Sequence, residues 1–188
     1  MSNRLPVLRA LALVLVAFAT SASAGETDVS PSPAAGTVSA EHERLAALAG
    51  VWDVKQSLRL KPGEPPQRDT GTARFTVELG GRALRQDLHI DSRPPFQGIG
   101  VTGYDTLTRT WFTGWMDLNF TDLLVLRGVR DERANTWRFA GSMREATGAT
   151  VPTREELTLV DHDHLVARYF ETRQGTETLV VQLEYSRR

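Results

Sequence analysis

Residues 72–79, with the sequence TARFTVEL, alternate strictly between polar and apolar side chains. Such a period of two is typical of a β-strand with one face toward a core, because successive side chains point to opposite sides of the strand. Gly80 and Gly81 follow and indicate a hairpin turn. The residues of this strand that we expect to face inward are Ala73, Phe75, Val77 and Leu79.

The same alternation continues on both sides of this strand, through residues 51–188. About ten short stretches of this kind are separated by turn residues, and none of them has the period of a helix. The even spacing, without a long crossover segment, predicts an all-β domain. Its expected form is a single closed, antiparallel, up-and-down β-barrel of about ten strands.

One short helix is expected before the barrel. Ser39 is suited to cap a helix that extends through Leu48, and Gly50 lies just past its end. A helix of this length needs a surface to dock on, and an end of the barrel provides one. The sequence therefore predicts one domain, residues 39–188, in which the helix caps one end of the barrel.

The first 24 residues have the layout of a secretory signal peptide. Arg4 and Arg9 precede an apolar run at 10–19, and small residues follow up to Ala24. The run is about half as long as a transmembrane helix, so we expect cleavage before Gly25 and no transmembrane segment in the mature protein. This predicts export to a periplasm or to the cell exterior. Residues 25–38, rich in Pro, Ser, Ala and Gly, are expected to form a disordered leader.

Composition narrows the classes of partner. The chain has no cysteine, which excludes disulfides, thiolate metal sites and the lipid-modified cysteine of a lipoprotein. Loss of the two signal-segment arginines changes the formal net charge from −1 to −3, and the basic residues are scattered. These features argue against a nucleic-acid partner. No cofactor is predicted, and no oligomeric state follows from the pattern.

Several short motifs recur in the order found in one known family. They are Leu48–Trp52 (LAGVW), Leu79–Arg82 (LGGR), Phe96–Gly98 (FQG), Gly103–Asp105 (GYD), Trp115–Asp117 (WMD), Gly128 before Asp131, and Tyr185–Arg187 (YSR). In these motifs the chain resembles the bacterial lipocalin-like family catalogued as domain of unknown function fifteen-seventy-nine. The resemblance implies a lipocalin/calycin-like barrel and no established reaction.

The motif Gly50-Val51-Trp52 is similar to the Gly-x-Trp signature of the first lipocalin strand. That resemblance implies that Trp52 plugs the closed end of the barrel and that a late arginine, here Arg187, lies over its ring. A cation over an indole contributes on the order of 1 kcal/mol. We therefore expect this pair to stabilise the fold and not to bind a ligand.

Polar residues on otherwise apolar strand faces are the main indication of a binding site. A buried amide or carboxylate without a partner costs about 1 to 3 kcal/mol, so such residues need a reason to be inside. Together with nearby aromatic residues they predict an amphipathic pocket for a small, mostly apolar or amphipathic molecule. The candidate ligand-binding residues are Gln56, Gln86, Tyr104, Trp111, Thr113, Trp115 and Asp117.

Other interpretations of the same residues remain open. The polar groups can form a packed internal network in which Arg127 or Arg154 neutralises Asp117. Trp111 and Trp115 can instead point outward, as the contact surface of an interaction module in the cell envelope. In a third alternative, Asp117 acts as the base of a small-molecule hydrolase or isomerase.

Metal or haem binding has one candidate segment. Asp161-His162-Asp163-His164 combines two imidazoles with two carboxylates, and a haem-binding barrel needs only one axial histidine. The segment falls where the chain must turn, and Asp is common in turns. We therefore predict no metal site, and the absence of a triad or nucleophile-elbow motif indicates no catalytic residues.

Overall fold

The computed structural model describes residues 36–61, 63–119, 121–145 and 147–188. The predicted signal peptide, 1–24, and all but the last three residues of the predicted leader, 25–38, lie outside these ranges. The leader's described residues contact the barrel. The Gly36 carbonyl accepts a hydrogen bond from Arg82 Nε at 2.9 Å, and the Val38 side chain lies beside Gly81.

Ten strands and one short α-helix account for most of the described residues. The helix is α1 (Ala40–Ala46), and a 3-10 turn spans Leu79–Gly81. Among these residues we find no helix with the length and apolar character that a membrane crossing requires. The strands are β1 (Gly50–Leu58), β2 (Gln67–Glu78), β3 (Ala83–Ile90), β4 (Phe96–Asp105), β5 (Thr110–Asp117), β6 (Leu124–Asp131), β7 (Thr136–Arg144), β8 (Thr150–Asp161), β9 (His164–Arg173) and β10 (Thr176–Arg187).

The strands form a closed barrel in which each strand pairs with its neighbours in sequence. β1 completes the circle by pairing with β10, with Trp52 opposite Arg187. All pairings are antiparallel, so the predicted up-and-down barrel is confirmed. Closure leaves no unpaired strand edge for another chain to extend.

Strand β2 follows its predicted alternation only in its middle. Ala73 and Phe75 are buried, but Val77 is 39% exposed and Leu79 is 75% exposed. The inward placement of these last two residues is therefore wrong. The physical reason is that β2 ends at Glu78, and Leu79 has already entered the 3-10 turn with a φ of 51°.

Helix α1 lies at the end of the barrel where β1 begins and β10 finishes, which we call the closed end. Its residues Leu45 and His42 are buried, and it contacts β3 and β4. The helix stops at Ala46, two residues earlier than predicted. The chain then turns so that the Leu48 carbonyl accepts a hydrogen bond from Trp52 Nε1 at 3.1 Å. Leu48 and Trp52 are fully buried there.

The predicted contact between Arg187 and Trp52 is confirmed. The guanidinium carbon of Arg187 lies 4.2 Å from the centroid of the Trp52 ring. Its nitrogens also donate to the carbonyls of Ala49 at 2.7 Å and Ala47 at 3.0 Å. Gly50 makes this approach possible, because a Cβ there would lie 2.7 Å from Arg187 Nη1, and its φ of +143° disfavours other residues.

Candidate functional site

A small cavity of about 20 Å³ lies inside the barrel, beyond the packed residues of the closed end. Leu45 of α1 and Trp115 of β5 border it, and seven of the thirteen described lining residues are apolar. A space of this size holds about one water-sized group. The polar residues that line it are Gln86, Thr102, Thr113, Glu155, Tyr169 and Tyr185.

Glu155 is the one carboxyl group on this lining. It lies on the inward face of β8, between the buried residues Thr153 and Leu157. Burial raises the pKa of Glu155 to about 7, and a hydrogen bond from the Tyr169 hydroxyl lowers it in part. Tyr169 stands directly opposite Glu155 on β9. No Lys, Arg or His belongs to the described lining, so no cation of the protein faces this carboxyl in the cavity.

Two tyrosines surround the carboxyl. Burial, together with the charge of the nearby Glu155 carboxylate, raises the pKa of Tyr169 and of Tyr185 above the ordinary value. Both hydroxyls therefore keep their protons at neutral pH. The Tyr185 hydroxyl accepts a hydrogen bond from Gln86 Nε2 at 3.0 Å, which links β3 to β10 across the barrel.

Trp115 lies flat against strand β4. A Cβ at Gly98 would lie 2.1 Å from Cζ2 of the indole, so only glycine leaves room for this ring. The Trp115 Nε1 donates to Asp117 Oδ2 at 2.7 Å, and Asp117 Oδ1 accepts from the backbone N of Asn119 at 2.7 Å. The glycine-rich β4 thus serves a close approach by a side chain of β5.

A second cavity, of about 50 Å³, lies on the other side of Trp115. Met143 and Arg144 of β7 line it, together with residues that follow the end of β5. Trp115 and Leu124 line both cavities, so these two side chains lie between them. We call the inner space the Glu155 cavity and the outer one the rim cavity.

The seven candidate residues divide among three places. Gln86, Thr113 and Trp115 line the Glu155 cavity, and Asp117 holds the Trp115 indole without lining it. Gln56 is buried in β1 outside this lining. Tyr104 and Trp111 lie toward the closed end, where their rings are 4.9 Å apart and Trp111 also meets Trp137 edge-on.

The alternative of outward-facing tryptophans does not match the structure. Trp111 is only 3% exposed, and Trp115 lines the two cavities. Arg154, offered as a neutralising partner of Asp117, instead hydrogen-bonds to Glu156 and Glu177. Both oxygens of Asp117 accept hydrogen bonds from neighbours on its own segment, which gives a catalytic base there no support.

The histidine turn between β8 and β9 is exposed. His164 Nδ1 lies 2.8 Å from Asp161 Oδ1, and His162 Nδ1 lies 2.7 Å from Asp163 Oδ1. Each histidine therefore pairs with a different carboxylate. In the part of the chain that the structure describes, no three histidine or acidic residues converge as a metal site would require.

Sequence reasoning missed Glu155, Tyr169 and Tyr185. The alternation of Val151, Thr153 and Leu157 puts Glu155 on the buried face of β8. This signal was present in the sequence, but the adjacent Glu156 makes the phase ambiguous when the strand is considered alone. The partner strand resolves it, because Tyr169 is the residue opposite Glu155.

Comparison with known proteins gives a family and a fold. The sequence model of a family described as "Protein of unknown function (DUF1579)" matches residues 37–187. Among solved structures, the chain is similar to a redesigned β-barrel at 12% sequence identity, with 77% of this chain and 95% of that chain covered and a TM-score of 0.39. No curated protein sequence matches the chain significantly.

Proposed function

The chain belongs to the DUF1579 family, whose description assigns no function, and we propose that the protein binds a small, mostly apolar molecule inside the barrel. The molecule would occupy the Glu155 cavity and extend past Trp115 into the rim cavity. The observation that carries this proposal is the buried Glu155 carboxyl, which borders unfilled space and faces no cation on the described lining.

The energetics of the interior support a binding role over a purely structural one. An ionised carboxylate in a poorly hydrated interior is unfavourable unless it is paired, and an apolar residue of similar size would stabilise the fold more. Six polar residues converge on this one space, and the other seven lining residues are apolar. A mostly apolar wall with a few convergent polar groups is the usual composition of a small-molecule site.

Binding of anything larger than a water-sized group requires the Trp115 ring to move. The Glu155 cavity measures only about 20 Å³, and the indole lies between it and the rim cavity. Trp115 is partly exposed, and one hydrogen bond to Asp117 holds its Nε1. Rotation of this ring toward solvent would join the two cavities and free the volume of an indole.

Tryptophan emission provides a direct test. The chain has four tryptophans, and the other three are buried residues of the closed end, whereas Trp115 lines the cavities. Titration with short-chain alcohols of increasing length should give a saturable emission change, and native mass spectra should show one bound molecule.

Two matched variants separate ring movement from other causes. Trp115→Phe should abolish most of the emission change while the bound molecule persists in native mass spectra. Trp137→Phe, at a buried ring whose Nε1 has no hydrogen-bond partner, should preserve the change. If neither emission nor mass spectra show saturable binding of any chain length, the proposal is wrong.

We also propose that residues 1–24 direct export. The sequence layout of this segment supports the proposal. Expression of the full chain in a bacterial host, followed by mass measurement of the envelope fraction, should give a protein that begins at Gly25. Recovery of the full-length chain with residues 1–24 attached, in the cytoplasmic fraction alone, would contradict it.

A further inference from the structure

The chemistry of the Glu155 cavity indicates which kind of polar group a ligand would place there. We propose that the ligand is a primary amine, whose ammonium group occupies the Glu155 cavity against the carboxylate while its hydrocarbon chain extends past Trp115. This inference rests on the proposed binding function and specifies the class of ligand. It rests on the charge, the hydrogen-bonding groups and the size of the cavity.

Charge is the first argument. The cation nearest in sequence, Arg154, points away from the cavity and hydrogen-bonds to Glu177 and Glu156, at 2.9 Å and 2.6 Å. The described lining contains no basic side chain. A ligand ammonium would therefore supply the charge that an ionised Glu155 lacks, whereas a ligand carboxylate would meet a like charge in a medium of low dielectric constant.

Hydrogen bonding gives the second argument. Three donors on the lining are already used within the protein. They are the Tyr169 hydroxyl, which donates to Glu155, the Gln86 amide, which donates to Tyr185, and the Thr102 hydroxyl, which donates to Thr113. The Tyr185 and Thr113 hydroxyls each keep one proton to donate, whereas the Glu155 carboxylate and Gln86 Oε1 can only accept, and an ammonium group brings three donors and no acceptor.

Size gives the third argument. A terminal ammonium group contains one heavy atom and is comparable to a water molecule, which needs roughly 10 to 15 Å³ of such space. The Glu155 cavity has about 20 Å³. The head group therefore fits without movement of the inner wall, and only Trp115 must move to admit the chain behind it.

The inference predicts a specific pH dependence. The titratable groups that face Glu155 are Tyr169 on β9 and Tyr185 on β10, and both stay protonated near neutral pH. Its partner on β7 is the apolar Phe139, and no charged residue of the other strands or of α1 lines the cavity in the described chain. An alkylamine, with a pKa of about 10 like that of lysine, stays charged. Amine affinity should therefore rise between pH 5.5 and pH 8 as Glu155 ionises.

The experiment compares hexylamine, hexanol and hexanoate, which share one hydrocarbon chain. Isothermal titration at pH 8 should show hexylamine binding at least tenfold more tightly than hexanol, and hexanoate more weakly than either. At pH 5.5 the preference for the amine should fall toward one. Glu155→Gln should remove the preference at pH 8 while hexanol affinity is retained, which also shows that the variant is folded.

A matched variant and three contrary outcomes complete the test. Glu156→Gln, the same change at the adjacent outward-facing residue, should retain the preference. Equal affinities for hexylamine and hexanol, or an amine preference that survives Glu155→Gln, would overturn the amine inference and leave the binding function intact. Absence of binding by all three probes at both pH values would overturn both.

Discussion

The closed end and the Glu155 cavity are built by the same ten strands and the same alternation, yet their inward residues behave differently. At the closed end, Trp52 is fully buried and the Arg187 guanidinium donates to backbone carbonyls. Around the cavity, by contrast, a carboxyl is buried with tyrosine hydroxyls, and the described lining contains no cation. One end of this barrel is therefore built from contacts that stabilise the fold, while its middle retains groups that reduce stability.

Removal of Trp52 should have the largest effect on this contrast. Its ring packs edge-on against Phe75 and Tyr185, with centroids 6.3 Å and 6.5 Å away. Trp52→Ala should lower the free energy of unfolding by about 4 kcal/mol, since it leaves a large internal void. Urea unfolding followed by far-ultraviolet circular dichroism measures this. Trp115→Ala, at a partly exposed ring, should cost less than about 2 kcal/mol; equal losses would end the distinction between the two regions.

Replacement of Glu155 by Gln should raise the free energy of unfolding instead of lowering it. The pKa of Glu155 is about 7 in the folded protein and has an ordinary value of 4.5. Between these values the folded protein holds a proton that the unfolded chain has lost, so stability declines as pH rises and this loss is complete above about pH 7. Glu155→Gln should therefore be more stable than the parent at pH 8, by on the order of 3 kcal/mol, and nearly equal at pH 4.

Urea unfolding at pH 4, 6 and 8 checks this pH dependence. The contributions of the other titrating groups cancel when the unfolding free energy of the variant is compared with that of the parent at the same pH. Glu156→Gln serves as the control, because that carboxylate lies on the outer face beside Arg154. A difference between parent and Glu155→Gln that stays constant from pH 4 to pH 8 would show that Glu155 titrates normally.

Substitution of Arg187 tests whether the contacts of the closed end stabilise the fold. Arg187→Ala should cost about 2 kcal/mol, because the carbonyls of Ala47, Ala49 and His162 lose a charged donor and Trp52 loses its cation. Arg188→Ala is the matched control. That residue bonds only the exposed Asp53 among described side chains, at 2.6 Å, and a surface pair of this kind contributes about 0 to 1 kcal/mol. Thermal unfolding should rank the two variants in this order, and the reverse ranking would remove Arg187 from the stabilising group.

Gly98 should give the smallest effect. A Cβ at this position would overlap the Trp115 ring at 2.1 Å, so Gly98→Ala should displace the indole and break its hydrogen bond to Asp117, at a cost of about 1 kcal/mol. The tryptophan emission of the Gly98→Ala variant should shift to longer wavelength, because the Trp115 ring becomes exposed to water. Gly114→Ala, where the nearest atom is 3.4 Å away in Leu123, should leave the spectrum unchanged. A parental spectrum for Gly98→Ala would mean that the ring keeps its position and that strand β4 shifts to accommodate the methyl group.

The period of two identifies the face of a strand but not the depth of a residue along the barrel. The alternation puts Trp111 and Trp115 on the same face of β5, and the structure places the first at the closed end and the second between the cavities. Depth depends on the stagger between strands, which is set by pairings such as Gly98 with Asp117. The up-and-down order of about ten antiparallel strands was predictable from alternation, while the composition of the cavity was not.

Two further differences between the sequence-based expectation and the structure have the same origin. Val77 continues the alternation of β2, but the pattern does not show that the strand has reached the end of the barrel there. The phase of β8 depends on the pairing of Glu155 with Tyr169, which lies in another strand. In both cases the missing information concerns a neighbouring segment, and alternation within one strand cannot supply it.

The pairing of β1 with β10 has a consequence for biosynthesis. Strand β1 cannot complete its pairing until β10 has been synthesised, more than a hundred residues later, since Trp52 lies opposite Arg187. Until the ribosome has released that last segment, the nascent sheet has two free edges able to recruit foreign strands. A nonsense codon that removes β10 would thus produce an open sheet with two unpaired edges. Such a sheet is prone to aggregation and is a substrate for chaperones and proteases.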